Sequence, residues 1–274
     1  YRKYMAKEQP DKAEQYLLSD ALDTTEYSSV QFYKDNTINA CMESSYDFLE
    51  KVIVEVSQLH KQAGQALTKY HIGADETAGA WVDSPVCESF FADSDNGIDT
   101  AEDLSAYFIE RVAKMLAAKG IKAAGWNDGM GLTNKDNMPS DSQSNAWTPL
   151  IWGGHISAHE QANRGWEMIV SSPDVTYFDT PYELDPEEPG YYWPSRETNT
   201  RKVFNFMPDN LPVHAELLKG REGEDVIIDD RLQKNDKGEI IHSPMARGNE
   251  FRGMQGHIWS ETVRSDEQAE YMIY

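Results

Sequence analysis

The chain has 274 residues, enough for one large domain or two small ones, and its 47 Asp and Glu against 25 Lys and Arg give a formal charge of -22. A surplus of that sign repels polyanions, which excludes nucleic acid and an anionic membrane surface as partners and leaves neutral or cationic ligands. No apolar run approaches the roughly 20 residues needed to span a bilayer, and no signal peptide opens the chain.

Residues 1–40 are polar and acidic with weak periodicity and read as a surface excursion. From Ser45 to Lys69, Phe48, Val52, Ile53, Val56 and Leu59 recur at three-to-four spacing, which predicts an amphipathic helix. It runs into Tyr70-His71-Ile72-Gly73, a short strand that ends at Asp75-Glu76. A helix over about 101–119, closed by Lys119-Gly120, leads to a second strand, Ile121 to Trp126, which ends in Asn127-Asp128. A third strand is predicted at Ser144 to Trp147, a helix at about 155–164, and a fourth strand at Glu167 to Ser171 that continues through Val175 to Asp179. An excursion from about 180 to 250, rich in Pro, Gly and charge, precedes a fifth strand at Gly253 to Trp259. Loops of that length inside a compact domain are usually functional. Tyr1 at the start, and a helix that stops within Ala269 to Tyr274, predict a piece of a longer chain.

Helix followed by strand is the rhythm of an α/β fold, and each predicted strand ends in polar or aromatic groups: Asp75-Glu76, Trp126, Trp147, Tyr177 with Asp179, and Trp259 with Glu261. Parallel barrels build their active sites at those ends. Five strands do not close an eight-stranded barrel. The simplest reading is a partial TIM (β/α)8 barrel occupying residues 1–274, with strands four to eight present and the first three missing upstream.

Two adjacent carboxylates at a strand end suit acid–base work, because like charge and partial burial raise one pKa and leave the other acid ionised. With 47 acidic residues, such pairs also arise by chance on solvated loops. Trp126, Trp147, Trp193 and Trp259 fall at strand ends or in the long excursion, where aromatic faces stack on sugar rings; the alternative is that they fill a core or a domain interface. His155 and His159 have the spacing of a helical metal pair, but Ile156 stands where the metalloprotease Glu would be, so a solvated helix face is expected and no metal site. There is no nucleophile elbow, Walker loop or dinucleotide fingerprint. Cys41 and Cys87 lie on either side of the acidic pair; two cysteines are too few for a disulfide framework and are by themselves most often buried thiols.

His71-Ile72-Gly73-Ala74-Asp75-Glu76 resembles the H-x-G-G-D-E motif of glycoside hydrolase family 20. Ala124-Gly125-Trp126-Asn127-Asp128-Gly129, Asn145-Ala146-Trp147, Ile151-Trp152-Gly153-Gly154, SSPDVTYFDTPYELDPEEPGYYW and Gln255-Gly256-His257-Ile258-Trp259-Ser260-Glu261 look like further segments of bacterial chitobiases, in the same order. The resemblance covers nearly the whole chain. Ala74 departs from the motif's second glycine, and the family's first three barrel strands, with an arginine that holds sugar hydroxyls, have no counterpart here.

The resemblance implies a β-N-acetylhexosaminidase that removes terminal N-acetylglucosamine from chitobiose and chitin oligosaccharides by a retaining mechanism. The substrate's own acetamido oxygen attacks C1 and forms an oxazolinium intermediate. Glu76 is implied as general acid and then base, Asp75 as the group that orients the acetamido N–H and stabilises the cation, and Tyr177 as donor to the acetamido oxygen. Trp126, Trp147 and Trp259 are implied as pocket walls and floor, Trp193 as a platform for the second sugar, Glu261 as a partner of sugar hydroxyls and Asp179 as a support for Tyr177. No cofactor is implied. The remainder of the parent chain is expected as a partner, and activity belongs to that parent rather than to this piece. The resembled enzymes are exported, so a periplasmic, outer-membrane-associated or secreted location in a bacterium is expected, with Cys41 and Cys87 bonded. A non-catalytic carbohydrate-binding fragment is the alternative. A chitinase-like barrel would show a D-x-x-D-x-D-x-E strand, and the chain has none.

Overall fold

A computed structural model describes residues 7–12, 17–34, 37–93, 96–228, 237 and 251–274. The remaining parts of the two predicted excursions, within 1–40 and 180–250, lie outside the described residues. The chain divides into two compact units, residues 1–142 and 143–274.

In the first unit, helix α1 (Glu43–Gln62) buries Ser45, Tyr46 and Ile53. It ends seven residues before the predicted Lys69, because Gly64 turns the backbone at a φ of 72°, open to a residue without a Cβ. Leu59 lies beyond the buried stripe and is exposed. Helix α2 (Pro85–Phe91) starts at Ser84, whose hydroxyl accepts from the Cys87 amide, with Pro85 in the first turn. Helix α3 (Ala101–Ala117) buries Leu104, Ile109, Val112, Ala113 and Leu116 along one face. Arg111 on α3 grips Glu43 with two hydrogen bonds, at 2.7 and 2.5 Å, and lies 3.6 Å over the Tyr46 ring.

Strands β1 (Lys69–His71) and β2 (Lys122–Trp126) pair in parallel, with His71 opposite Ala124. Ile72 N–H to Ala124 and Trp126 N–H to Gly73, both at 2.8 Å, carry the ladder past the end of β1. A one-turn helix, α4 (Asn127–Met130), follows β2 at once.

Cys41 and Cys87 are disulfide-bonded, with Cα atoms 5.3 Å apart, as expected. The bond sits in an apolar cluster with Ala40, Ala80, Trp81 and Leu104. Closing a loop across 46 positions contributes about 4 kcal/mol in the chain-entropy picture.

In the second unit, β3 (Gln143–Ala146), β4 (Glu167–Val170) and β5 (Gly253–Met254) run parallel, with β4 bonded to both of the others. Strand β3 is buried throughout although three of its residues are polar, and each of those finds a partner. Gln143 donates to Asn145 at 2.8 Å, Ser144 to Gln161 at 2.6 Å and Asn145 to Gln255 at 2.7 Å. Helix α5 (Gly154–Asn163) covers β3 and β4 and begins at a backbone-to-backbone contact, since a Cβ on Gly154 would lie 2.0 Å from the Thr148 carbonyl.

His155 and His159 are buried, not solvated; their rings meet edge to face at 5.8 Å, and His159 stacks on Phe251. Among the described residues no group of three or more His, Cys, Asp or Glu could hold a metal. The predicted continuation of the fourth strand is also corrected. Pro173–Thr176 forms one helical turn, α6, with the proline in its first turn. Only Tyr177 returns to a parallel bridge, opposite His257.

The described part of the long excursion is not all irregular. It contains α7 (Thr200–Phe204) and α8 (Leu211–Leu217), capped by the side chains of Asn199 and Asn210, and α8 buries Leu211, His214 and Ala215. The last helix is α9 (Asp266–Ile273). No helix among the described residues is long and apolar enough to cross a membrane.

Candidate active site

At the exit of β1 the backbone turns through three left-handed conformations, Gly73 at φ 77°, Ala74 at 76° and Glu76 at 53°. For residues with a Cβ each costs of order 1 to 3 kcal/mol, so the surroundings must hold them. Asp128, just past β2, accepts the Glu76 amide at 3.1 Å, and the Tyr27 hydroxyl donates to the Glu76 carbonyl at 2.8 Å. Two glycines let the neighbouring turn come close. A Cβ on Gly129 would lie 1.6 Å from the Ala74 carbonyl oxygen, and one on Gly125 would lie 3.3 Å from that of Gly73.

Asp75 and Glu76 are thereby held side by side and part-buried. Burial raises the pKa of Asp75, and the charge of Asp128 adds to the rise. Glu76 is raised by burial, then by Asp75 and Asp128, while a hydrogen bond from Gln31 pulls it partly back. A carboxyl kept protonated beside a second carboxyl can donate a proton while its neighbour stabilises developing positive charge. Trp126, at the end of β2, meets His71 edge-on at 5.0 Å.

In the second unit the aromatic residues gather around Trp193 and Tyr177. Trp193 contacts Trp147 at 6.1 Å, Trp152 at 5.8 Å and Tyr177 at 6.0 Å between ring centroids. Tyr177 meets His257 at 5.3 Å and Trp259 at 5.6 Å, and the last two rings are stacked 5.2 Å apart, 2° from parallel. Asp179 is buried and accepts the Trp259 amide at 3.2 Å. Burial raises its pKa, that hydrogen bond opposes the rise and the nearby Glu261 adds to it. The excursion is drawn back to this point by Tyr191, whose amide donates to the Asp179 carbonyl at 3.0 Å. Gly190 permits the approach, because a Cβ there would fall 2.2 Å from the same oxygen.

Asp174 anchors the turn that carries Trp152. It is fully buried, and its carboxylate accepts the amides of Leu150 at 2.6 Å and Ile151 at 3.2 Å. Burial pushes its pKa up to about 6. Lys202 ties the excursion down nearby, donating to Ser195 at 2.5 Å and to the Glu197 carbonyl at 2.7 Å.

Residues 5–274 match the family described as Glycosyl hydrolase family 20, catalytic domain. The chain belongs to glycosyl hydrolase family 20. It is 48% identical over 278 residues to a beta-hexosaminidase of Vibrio vulnificus, covering 100% of this chain and 31% of that protein. It is 37% identical to the N,N'-diacetylchitobiase of Vibrio harveyi, covering 100% of this chain and 33% of that one. The chain thus spans about a third of the length of the curated relatives it matches. Among solved structures, the GH20 exo beta-N-acetylglucosaminidase of Vibrio harveyi in complex with N-acetylglucosamine superposes with a TM-score of 0.70 at 25% identity, covering 97% of this chain and 35% of that chain. The β-N-acetylhexosaminidase of Streptomyces coelicolor shares the fold at a TM-score of 0.56 and 18% identity, covering 93% of this chain and 41% of that chain.

For a family 20 chain, the sequence alone singles out Asp75, Glu76 and Trp126 in the first unit and Trp147, Tyr177, Asp179, Trp193, Trp259 and Glu261 in the second. It passes over three residues that the structure places among them. Asp128 follows strand β2 directly, Trp152 lies in the Ile151-Trp152-Gly153-Gly154 segment, and His257 precedes Trp259 by two. For His257 a signal exists, since residues two apart in extended chain project to one side. Asp128 and Trp152 declare themselves only through the groups they touch.

Proposed function

We propose that the chain supplies the catalytic acids and much of the sugar-binding surface of a β-N-acetylhexosaminidase acting on chitobiose and chitin oligosaccharides. Its strands β1 to β5 correspond in this reading to strands four to eight of a TIM barrel. The observation that carries it is the Asp75-Glu76 pair at the exit of a parallel strand, with burial and neighbouring charge raising the pKa of Glu76. Family 20 is an exception to the scheme of two enzyme carboxylates, in that the substrate's acetamido oxygen acts as nucleophile at C1.

Glu76 protonates the departing glycosidic oxygen and then activates water. Asp75 accepts the acetamido N–H and stabilises the oxazolinium charge. Tyr177 donates its hydroxyl to the acetamido oxygen and holds it in line with C1, an effect of positioning. Trp126, Trp147 and Trp259 bound the terminal sugar, Trp193 stacks on the second, and Glu261 bonds sugar hydroxyls. Asp179 secures the Trp259 backbone, beyond the support of Tyr177 expected for it. The Cys41–Cys87 bond supports an oxidising location, periplasmic, outer-membrane-associated or secreted.

The test compares Glu76→Gln and Asp75→Asn in the complete enzyme, on chitobiose and on an aryl N-acetylglucosaminide with an acidic phenol. Glu76→Gln is expected to lose far more activity on chitobiose, since the phenol departs without protonation, whereas Asp75→Asn loses activity on both. Equal losses for Glu76→Gln on the two substrates would remove it from the acid role. Chitobiose bound but not cleaved by the unmutated enzyme would favour a carbohydrate-binding role instead.

A further inference from the structure

The turn after β2 does more than end a strand. Its residue Asp128 exerts two different effects at Glu76, 52 positions earlier in the sequence: a hydrogen bond to the main chain and a charge. The main-chain bond acts where it matters, because Glu76 has a Cβ and a φ of 53°, a conformation that a residue other than glycine keeps only when held. The turn lies against the loop, since Gly129, next in sequence, abuts the Ala74 carbonyl.

We propose that Asp128 is a positioning residue for the general acid, its carboxylate holding the Glu76 amide in the left-handed conformation and keeping a negative charge beside the Asp75-Glu76 pair. The proposal rests on the reading of Glu76 as the acid. Within the first unit the groups facing this loop are Asp75 on the loop itself, Asp128 from the β2 exit, the Tyr27 hydroxyl and the Gln31 amide from the N-terminal segment, Thr77 bonded to Ser105 of α3, and His71 at the end of β1. Burial is the largest influence on both acids, and the Asp128 charge pushes both further up. Glu76 must hold its proton to act, so its titration sets the alkaline limb of the pH profile. Asp75 must be ionised, so its titration sets the acid limb. Removing the Asp128 charge therefore moves both limbs to lower pH.

The experiment measures kcat and kcat/KM for chitobiose against pH in the complete enzyme and in three variants. Asp128→Asn keeps an acceptor and loses the charge; both limbs are expected to fall by roughly half a unit or less, because Asp128 is exposed and water screens it, while kcat at the optimum stays within about threefold. Asp128→Ala loses the acceptor too, so the same displacement should come with a further loss of about tenfold in kcat. Asp128→Glu keeps the charge on a longer arm; its limbs should stay in place while kcat falls. A merely structural role would lower kcat without moving the limbs. Limbs of Asp128→Asn that coincide with those of the unmutated enzyme overturn the proposal, as do equal kcat losses in Asn and Ala. If Asp128→Asn fails to fold, a Glu variant with unaltered kcat overturns the positioning role by itself. Glu76→Gln run on both substrates in parallel separates the two readings. Equal losses there sink Glu76 as the acid, whereas a selective loss with unmoved Asp128→Asn limbs sinks only the role of Asp128.

Discussion

Gly129 and Ala74 meet backbone to backbone: the Cβ that Gly129 lacks would lie 1.6 Å from the Ala74 carbonyl oxygen. The obstacle is main chain, which cannot rotate aside as a flexible side chain can. Gly129→Ala must therefore displace the loop that carries Asp75 and Glu76. Activity on chitobiose is expected to fall at least about tenfold in the complete enzyme, with a loss of about 1 to 3 kcal/mol in stability from overpacking. Steady-state kinetics and a denaturant melt would check it; near-normal kcat in the variant would mean that the close approach places neither acid.

Asp174 gives the protein a pH-dependent term in its stability. Burial lifts its pKa from 3.8 to about 6 in the folded chain, so the folded state binds this proton more tightly than the unfolded chain does. Stability from the group is complete below the unfolded value and is lost as pH rises through the folded one. Asp174→Asn cannot titrate, so the melting-temperature difference, wild type minus variant, should shrink between pH 4 and 6 and level off above. Melting curves for the two proteins that run parallel across that range would contradict the assignment.

Trp193 touches Trp147, Trp152 and Tyr177 and stands on the excursion that the family reading places over the second sugar. Replacing it with Ala removes a stacking surface of about 0.5 to 1.5 kcal/mol. KM for chitobiose should accordingly rise about two- to tenfold, with a smaller change for an aryl monosaccharide. Equal changes on both substrates would show that Trp193 supports Tyr177 rather than a second sugar.

Much of this was legible in the order of residues. Three-to-four spacing marks α1, the Lys119-Gly120 close marks the end of α3, and the apolar runs before Asp75-Glu76 and Asn127-Asp128 mark β1 and β2. These are local signals, set by which side chains share a face. Two of the misreadings have local causes too. Gly64 ended α1 early by admitting a left-handed turn, and Pro173 opened a helical turn where an apolar run suggested more strand. With no metal-site Glu beside them His155 and His159 read as a solvated helix face, whereas β3, β4 and Phe251 around them decide their burial.

By itself the sequence determined the α/β rhythm, the acidic pair at a strand exit and the ordered segments of family 20, and only through that resemblance did it imply that the two cysteines join. Tertiary structure alone decided that Asp128 holds the amide of Glu76, that Gly129 and Gly190 are spaces for another segment's carbonyl, and that Asp174 fixes the turn bearing Trp152. The reason is physical. Periodicity records how each residue stands to its own element, whereas these contacts join main-chain atoms to residues many positions away, and nothing in local spacing records which distant carbonyl or amide a folded chain will bring within 3 Å.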